Sequence, residues 1–246
     1  MKRRSLYIGL LFLVISTTGC VYLRLLQVKN QLSSFNGYFR IKDDGGLTLV
    51  FLRPVLLTGD ILWLMESAPL SKKKEDGGEL WKYVLRKEYP SEKKGEDDRF
   101  DIPILMLFKE GKLVEITFPE RFLRYVSKPL LIKMFTSMGS AEIDRSDRRA
   151  GSRFQAKDSL EIPRKGQVVS VLGAPFSIQD SGHTTVFTYL YSLEEESGSN
   201  GGGFKLVMGF RFQNDDDRLL SAETNLRGLK MSLDFSLDDK GKNRKR

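Results

Sequence analysis

The chain contains one cysteine, Cys20, and one histidine, His183. These two residues bound most of its potential chemistry. A zinc or copper site needs about three or four nitrogen and sulfur ligands, so this pair supplies too few. A lone cysteine forms no internal disulfide, and an exported chain of this composition must rest on packing. A nucleophile–histidine–acid arrangement would have to recruit His183. That residue lies in the turn-like stretch Gln179-Asp180-Ser181-Gly182-His183-Thr184, with no Gly-x-Ser-x-Gly elbow anywhere in the chain. Asp215-Asp216-Asp217 lacks the alternating acids, glycine and distal glutamate of a calcium loop. It reads as a hairpin turn, and Glu194-Glu195-Glu196 as a solvated strand end. Gly201-Gly202-Gly203 sits in a Gly/Ser loop rather than between strand and helix, so it is no phosphate cradle. The sequence therefore predicts no catalytic residue, no metal ligand and no cofactor.

Cys20 has a different context. Lys2, Arg3 and Arg4 precede an apolar run from Leu6 to Ile15, and small or hydroxyl residues Ser16 to Gly19 lead into the cysteine. This is the three-part layout of a secretory signal. The run is short of the ~20 apolar residues that span a bilayer. Arg24 and Lys29 follow soon after. Thr17-Thr18-Gly19-Cys20 resembles the lipobox of bacterial lipoproteins, with Thr17 departing from the usual leucine. The resemblance implies cleavage after Gly19, a diacylglyceryl group on the Cys20 thiol and an acylated new amino terminus. More than one acyl chain suits stable anchoring. In that family an aspartate directly after the cysteine marks inner-membrane retention, so Val21 points to the outer membrane, facing the periplasm.

Loss of the three leader cations takes the formal charge from +8 to +5. This excess is spread along the chain and does not predict nucleic-acid binding. The 246 residues, 40% hydrophobic and 29% charged, suit a packed domain or two small ones.

The elements expected to follow the anchor are mixed. Val21, Leu25, Val28, Leu32 and Phe35 recur at helical spacing, predicting an amphipathic helix over 21–35 ended by Asn36-Gly37. It packs on its own domain or lies at a membrane or partner surface. Strands are expected over 38–41 and 47–52. Residues 55–65 read equally as helix or strand, and 67–78, with Lys72-Lys73-Lys74, as a polar loop. A strand over 81–89 precedes a hairpin over 104–118, turned at Lys109-Glu110-Gly111-Lys112 with a buried first arm. Helical spacing runs over 119–138, broken at Pro129. Residues 139–159 are polar and mark an internal boundary.

A second helix, 163–172, ends at Gly173 with Pro175 blocking continuation. A strand over 186–193, a hairpin over 204–225 and a last strand over 228–237 follow. Residues 240–246 form a basic tail, read as disordered. The stretch Ile162–Ile178, with Val168, Leu172, Gly173 and Pro175 at its turn and Tyr189 and Tyr191 on the next strand, resembles the small lipoproteins of the outer-membrane β-barrel assembly machinery, the SmpA/OmlA type. The likeness covers 160–225 at most, and Ile162-Pro163-Arg164 departs from the family's glycine-led helix start. It implies a scaffold that acts by protein contacts without catalytic residues.

The expected fold is α+β: two small sheet-and-helix units with antiparallel hairpins, 20–145 and 146–239, behind a signal peptide at 1–19. Each half ends in an aromatic strand and a long hairpin, so a duplicated fold is one reading. The expected function is a lipid-anchored envelope scaffold with a protein partner. The alternative is a periplasmic carrier holding an apolar ligand between helix and sheet, which would need a closed apolar cavity.

Overall fold

The computed structural model describes residues 21–43, 45–75, 77–90, 98–144, 146–154, 162–194, 205–226 and 228–235. Cys20, Gly19 and the rest of the leader, the Gly/Ser loop and the basic tail lie outside them. The fold is α+β, as the alternation of helical and strand patterns predicts.

In chain order, residues 21–32 form α1 and Phe35–Tyr38 a short α2. Strands β1 (Phe39–Lys42) and β2 (Leu47–Phe51) follow, then α3 (Thr58–Met65). Next come β3 (Ser71–Glu75), β4 (Gly78–Lys87), a single 3-10 turn at Asp98–Phe100, β5 (Ile102–Lys109) and β6 (Lys112–Phe118). Helices α4 (Arg121–Tyr125) and α5 (Lys128–Gly139) lead to β7 (Glu142–Asp144) and β8 (Arg149–Arg153). The chain closes with α6 (Lys165–Leu172), β9 (Ser177–Asp180), β10 (Thr184–Leu193), β11 (Lys205–Gln213), β12 (Leu219–Leu226) and β13 (Leu229–Asp234). Among the described residues no helix is long and apolar enough to cross a membrane.

All thirteen strands join one sheet, ordered β1-β2-β6-β5-β4-β10-β11-β12-β13-β8-β7, with β3 on β4 and β9 on β10. The two expected units thus share a sheet, and one core cluster draws on both. The 139–159 stretch, expected to be a polar boundary, contributes β7 and β8. Strand β8 runs parallel to β13, so residues 142–144, assigned above to the first unit, sit at the far edge beside the second.

Several local expectations are corrected. Residues 71–75 form a strand because they pair antiparallel with β4, leaving the lysines on the solvated edge. The ambiguous 55–65 segment is helix from Thr58. The first helix stops at residue 32, and Gly37 lies inside α2 rather than capping it. Pro129 separates two helices, sitting in the first turn of α5 where its missing N–H costs nothing; the Ser127 hydroxyl accepts from Leu130 N. The 109–112 turn has Glu110 at φ 49° and Gly111 at φ 72°, the twist a two-residue hairpin requires.

The two units repeat one ladder. Ser71 of β3 faces Lys82 as Ser177 of β9 faces Thr188, a displacement of 106 residues. Tyr83 faces Ile104 as Tyr189 faces Met208. The register of β5 against β6 slips between Leu107 and Phe108, and that of β11 against β12 between Arg211 and Phe212. Leu57, before α3, bridges to Lys112, and Arg164, before α6, bridges to Arg218. The diagonal ring pair Trp81–Phe108 has its counterpart in Phe187–Phe212. Each unit buries a tyrosine whose hydroxyl donates to a carbonyl just past its helix: Tyr83 to Ser67 O at 3.2 Å and Tyr189 to Gly173 O at 3.0 Å.

This equivalence sets a test. Tyr83→Phe and Tyr189→Phe each leave one carbonyl without its donor, and each is expected to cost about 1 kcal/mol. Urea denaturation midpoints of the two variants should shift alike. A loss confined to one of them would show that the repeated contact carries different weight in the two units.

Candidate functional site

The units meet along three residue pairs: Leu85 with Leu193, Arg86 with Ser192 and Lys87 with Tyr191. The backbone bonds Glu88 N to Leu190 O and Glu194 N to Val84 O extend this seam at both ends. The pairing is centred on Arg86–Ser192, and a local two-fold relates the units there. Strands β4 and β10 overlap only at their carboxy ends. Strands β3 and β9 occupy the remainder of the same two edges.

A polar cluster backs this seam, and every charge in it comes from the first unit or from α4 and the β10 terminus. Lys87 is buried. Its Nζ donates to Leu172 O at 2.5 Å and lies 4.9–5.3 Å from the ring centres of Tyr89, Phe100 and Tyr189. Its backbone N–H donates to the buried Asp101 carboxylate at 2.8 Å. Arg86 spans Asp101 and Glu194 at 2.5 and 2.8 Å, and these two anions raise its pKa. Arg121 donates to Val171 O, Phe100 O and Asp101 O, and burial lowers its pKa. Two cations therefore end on the last carbonyls of α6, where the helix dipole favours positive charge. A Cβ on Gly173, at φ 74°, would come within 2.7 Å of Lys87 Nζ and the Phe100 ring. Glycine is required here by both backbone conformation and space.

The second polar contact holds α1. Asp60, buried in the first turn of α3, accepts Arg24 Nε at 2.6 Å, Arg24 Nη2 at 2.5 Å and the Leu57 N–H at 2.8 Å. The equivalent of Asp60 is Gln167, an uncharged amide whose oxygen accepts the Arg164 N–H at 2.8 Å. The carboxylate at position 60 is thus what receives the arginine of α1. Leu25, Val28 and Leu32 pack on the core. Gln31 Nε2 donates to Arg53 O. The end of α1 lies so close to Gly139 that a Cβ there would strike Ser33 N. Of the two placements expected for this helix, the structure has it docked on its own domain.

The sequence-predicted site residues fall apart in space. Leu172, Gly173 and Pro175 form the turn against the seam, with Leu172 buried. His183 is exposed in a turn beside Gly182, and its carbonyl accepts from Asn214 N. Asp217 pairs with Lys165 at 2.7 Å, and Glu194 with Arg86. Among the described residues no group of His, Cys, Asp and Glu is placed to hold a metal. A groove of about 680 Å³ between the β3–β4 and β5–β6 turns is open and lined by Thr58, Lys74, Glu75, Glu79, Phe108 and Glu110 among others. A second, of about 330 Å³, lies beside Asp43 and Lys128, whose ion pair lowers the Asp43 pKa.

Sequence reasoning missed Lys87, Asp101, Arg121 and the Arg24–Asp60 pair. It also missed a signal in plain view. Ala68-Pro69-Leu70-Ser71 recurs as Ala174-Pro175-Phe176-Ser177, with Gly59 and Gly166 opening the helices before them. No protein-family model matches the chain, and no curated protein or solved structure matches it.

Two outcomes are expected. Asp101→Ala strips the acceptor from the buried Lys87 N–H and from Arg86, and should cost about 2–3 kcal/mol, with Asp101→Asn losing less because the amide oxygen still accepts. Urea titrations of both variants check this. Burial also pushes the Tyr83 pKa up to about 12 and raises those of Tyr189 and Tyr191 further. The folded state then holds protons that the unfolded chain releases near pH 10. The tyrosine contribution should be level below pH 10 and fall as pH rises above it, read as a declining urea midpoint between pH 10 and about 12. Tyr83→Phe should flatten that decline.

Proposed function

We propose that this chain is a non-enzymatic envelope lipoprotein, anchored through acylated Cys20 and working by protein–protein contact. The Arg24–Asp60 clamp carries the reading. It binds the first helix after Cys20 into the body, so an anchor at residue 20 would hold the folded domain against the membrane without an intervening linker. The outer membrane, on its periplasmic side, is the proposed location, resting on Val21. A scaffold role in envelope assembly rests on the likeness of residues 160–225 to the barrel-assembly lipoproteins.

The contact mode we favour is strand addition. Among the described residues, strand β9 pairs only with β10, and its Ile178 is 60% exposed; β7 ends the sheet, with Ile143 exposed. Open edges bearing apolar side chains accept an extended partner segment. We also read the two units as copies of one α+β ancestor, supported by their shared register and by the recurring Ala-Pro-x-Ser turn.

Intact mass spectrometry of the protein from its own host, beside Cys20→Ala, tests the anchor. The expected wild-type chain starts at Cys20 and carries acyl mass, and the variant carries none. A full-length, unacylated wild type would overturn the proposal.

A further inference from the structure

An exposed apolar face lies where the chain emerges from its leader. Leu23 is 67% exposed and Tyr22 48%, both in the first turn of α1. Across from them on α3, Leu62 is 38% exposed and Trp63 partly so. The Tyr22 and Trp63 rings meet edge to face at 5.4 Å, joining the two helices into one surface. The Arg24–Asp60 ion pair beside them fixes α1 on α3, so the four side chains keep their relative positions. In water this arrangement leaves apolar area uncovered on both helices.

We infer that this face, built from Tyr22, Leu23, Leu62 and Trp63, seats on the phospholipid surface and forms a second membrane contact beside the anchor. What covers it follows from where the chain comes from. The face begins two residues after Cys20, and the apolar run Leu6–Ile15 lies directly upstream. Whether the chain is held by acyl groups on Cys20 or by that uncleaved run, residue 21 leaves a membrane. Leu23 then cannot stand far from it, since each extended residue reaches only about 3.5 Å. Tyrosine and tryptophan suit this depth: the ring bodies enter the acyl boundary while the O–H and N–H stay among headgroups and water. The contact deepens the proposed function without depending on acylation. It would set the orientation of the body, giving the anchor a fixed direction rather than a free swivel.

The test uses the protein purified from its host membrane and reconstituted into phosphatidylethanolamine–phosphatidylglycerol vesicles, with and without acyl chains brominated near the headgroup. Bromine quenches tryptophan only at close range. The chain has two tryptophans, and Trp81 is in the core, 2% exposed. The expected result is quenching of wild type that is lost in Trp63→Phe and weakened in Leu23→Asp, an exposed substitution that leaves the packed stripe of α1 intact. Equal wild-type emission in brominated and plain vesicles overturns the inference, as does unchanged quenching in either variant. Mass is read on the same sample. Acylated protein without quenching sinks this inference alone, whereas unacylated protein that still quenches sinks the lipoprotein reading and leaves the seated face standing.

Discussion

The architecture hangs on a short antiparallel seam. Only Leu85–Lys87 and Leu193–Tyr191 pair between β4 and β10, and those few backbone bonds join eleven other strands into one sheet. Backbone bonds of this number contribute modestly once water is counted. The seam therefore depends on what lies behind it. Lys87, Arg121 and Tyr189 converge on consecutive carbonyls at the end of α6, and Asp101 gathers Arg86 and the Lys87 N–H. Each member is satisfied by another, so the cluster is specific in geometry. Losing one partner strands the rest in a low-dielectric setting.

The symmetry of the seam is a property of backbone and register, and its chemistry is not symmetric. Under the repeat, Arg86 corresponds to Ser192 and Lys87 to Leu193. Two cations in one unit thus have a hydroxyl and an alkyl group at the equivalent positions of the other. A like-charged pair at a two-fold would repel, so a self-associating unit could not carry Arg and Lys on both strands at this closeness. A covalently joined pair can place the charge once and answer it from Asp101 and Glu194. The same divergence appears at Asp60 and Gln167. Both cap a helix start, and only the aspartate is charged to receive Arg24. The carboxylate that binds a helix is found in the first unit alone of this pair of positions.

That division gives each part of the chain a separate task. The first unit holds α1 against α3. The second unit, extended by β13, β8 and β7, carries its β7 edge away along the sheet. Helices α4 and α5 connect them, with α4 against α6 and α5 against β8 and β13. The helix link and the seam thus hold the units together at two places. Rigid joining of this kind suits a body that presents a surface in a set direction.

What the sequence by itself determined is local. Apolar periodicity placed α1, the β5–β6 hairpin and the β10 strand, because burial patterns follow the 3.6 and 2.0 repeats of the backbone. Gly173 and Pro175 ended α6, since a positive-φ glycine and the proline ring act within a few residues. Tertiary structure decided the rest. Lys72-Lys73-Lys74 became a strand through pairing with β4, against a composition that reads as loop. Residues 142–153 joined the far edge through a parallel partner about eighty residues away, which no local pattern encodes. Lys87 and Asp101 carry no linear signal, and Arg24 reads only as a charge that follows the apolar run. Lys87 is buried by surfaces that meet when the two units close, and Arg24 is paired by the docking of α1 on α3, because a charge is drawn inside only where its partners already wait.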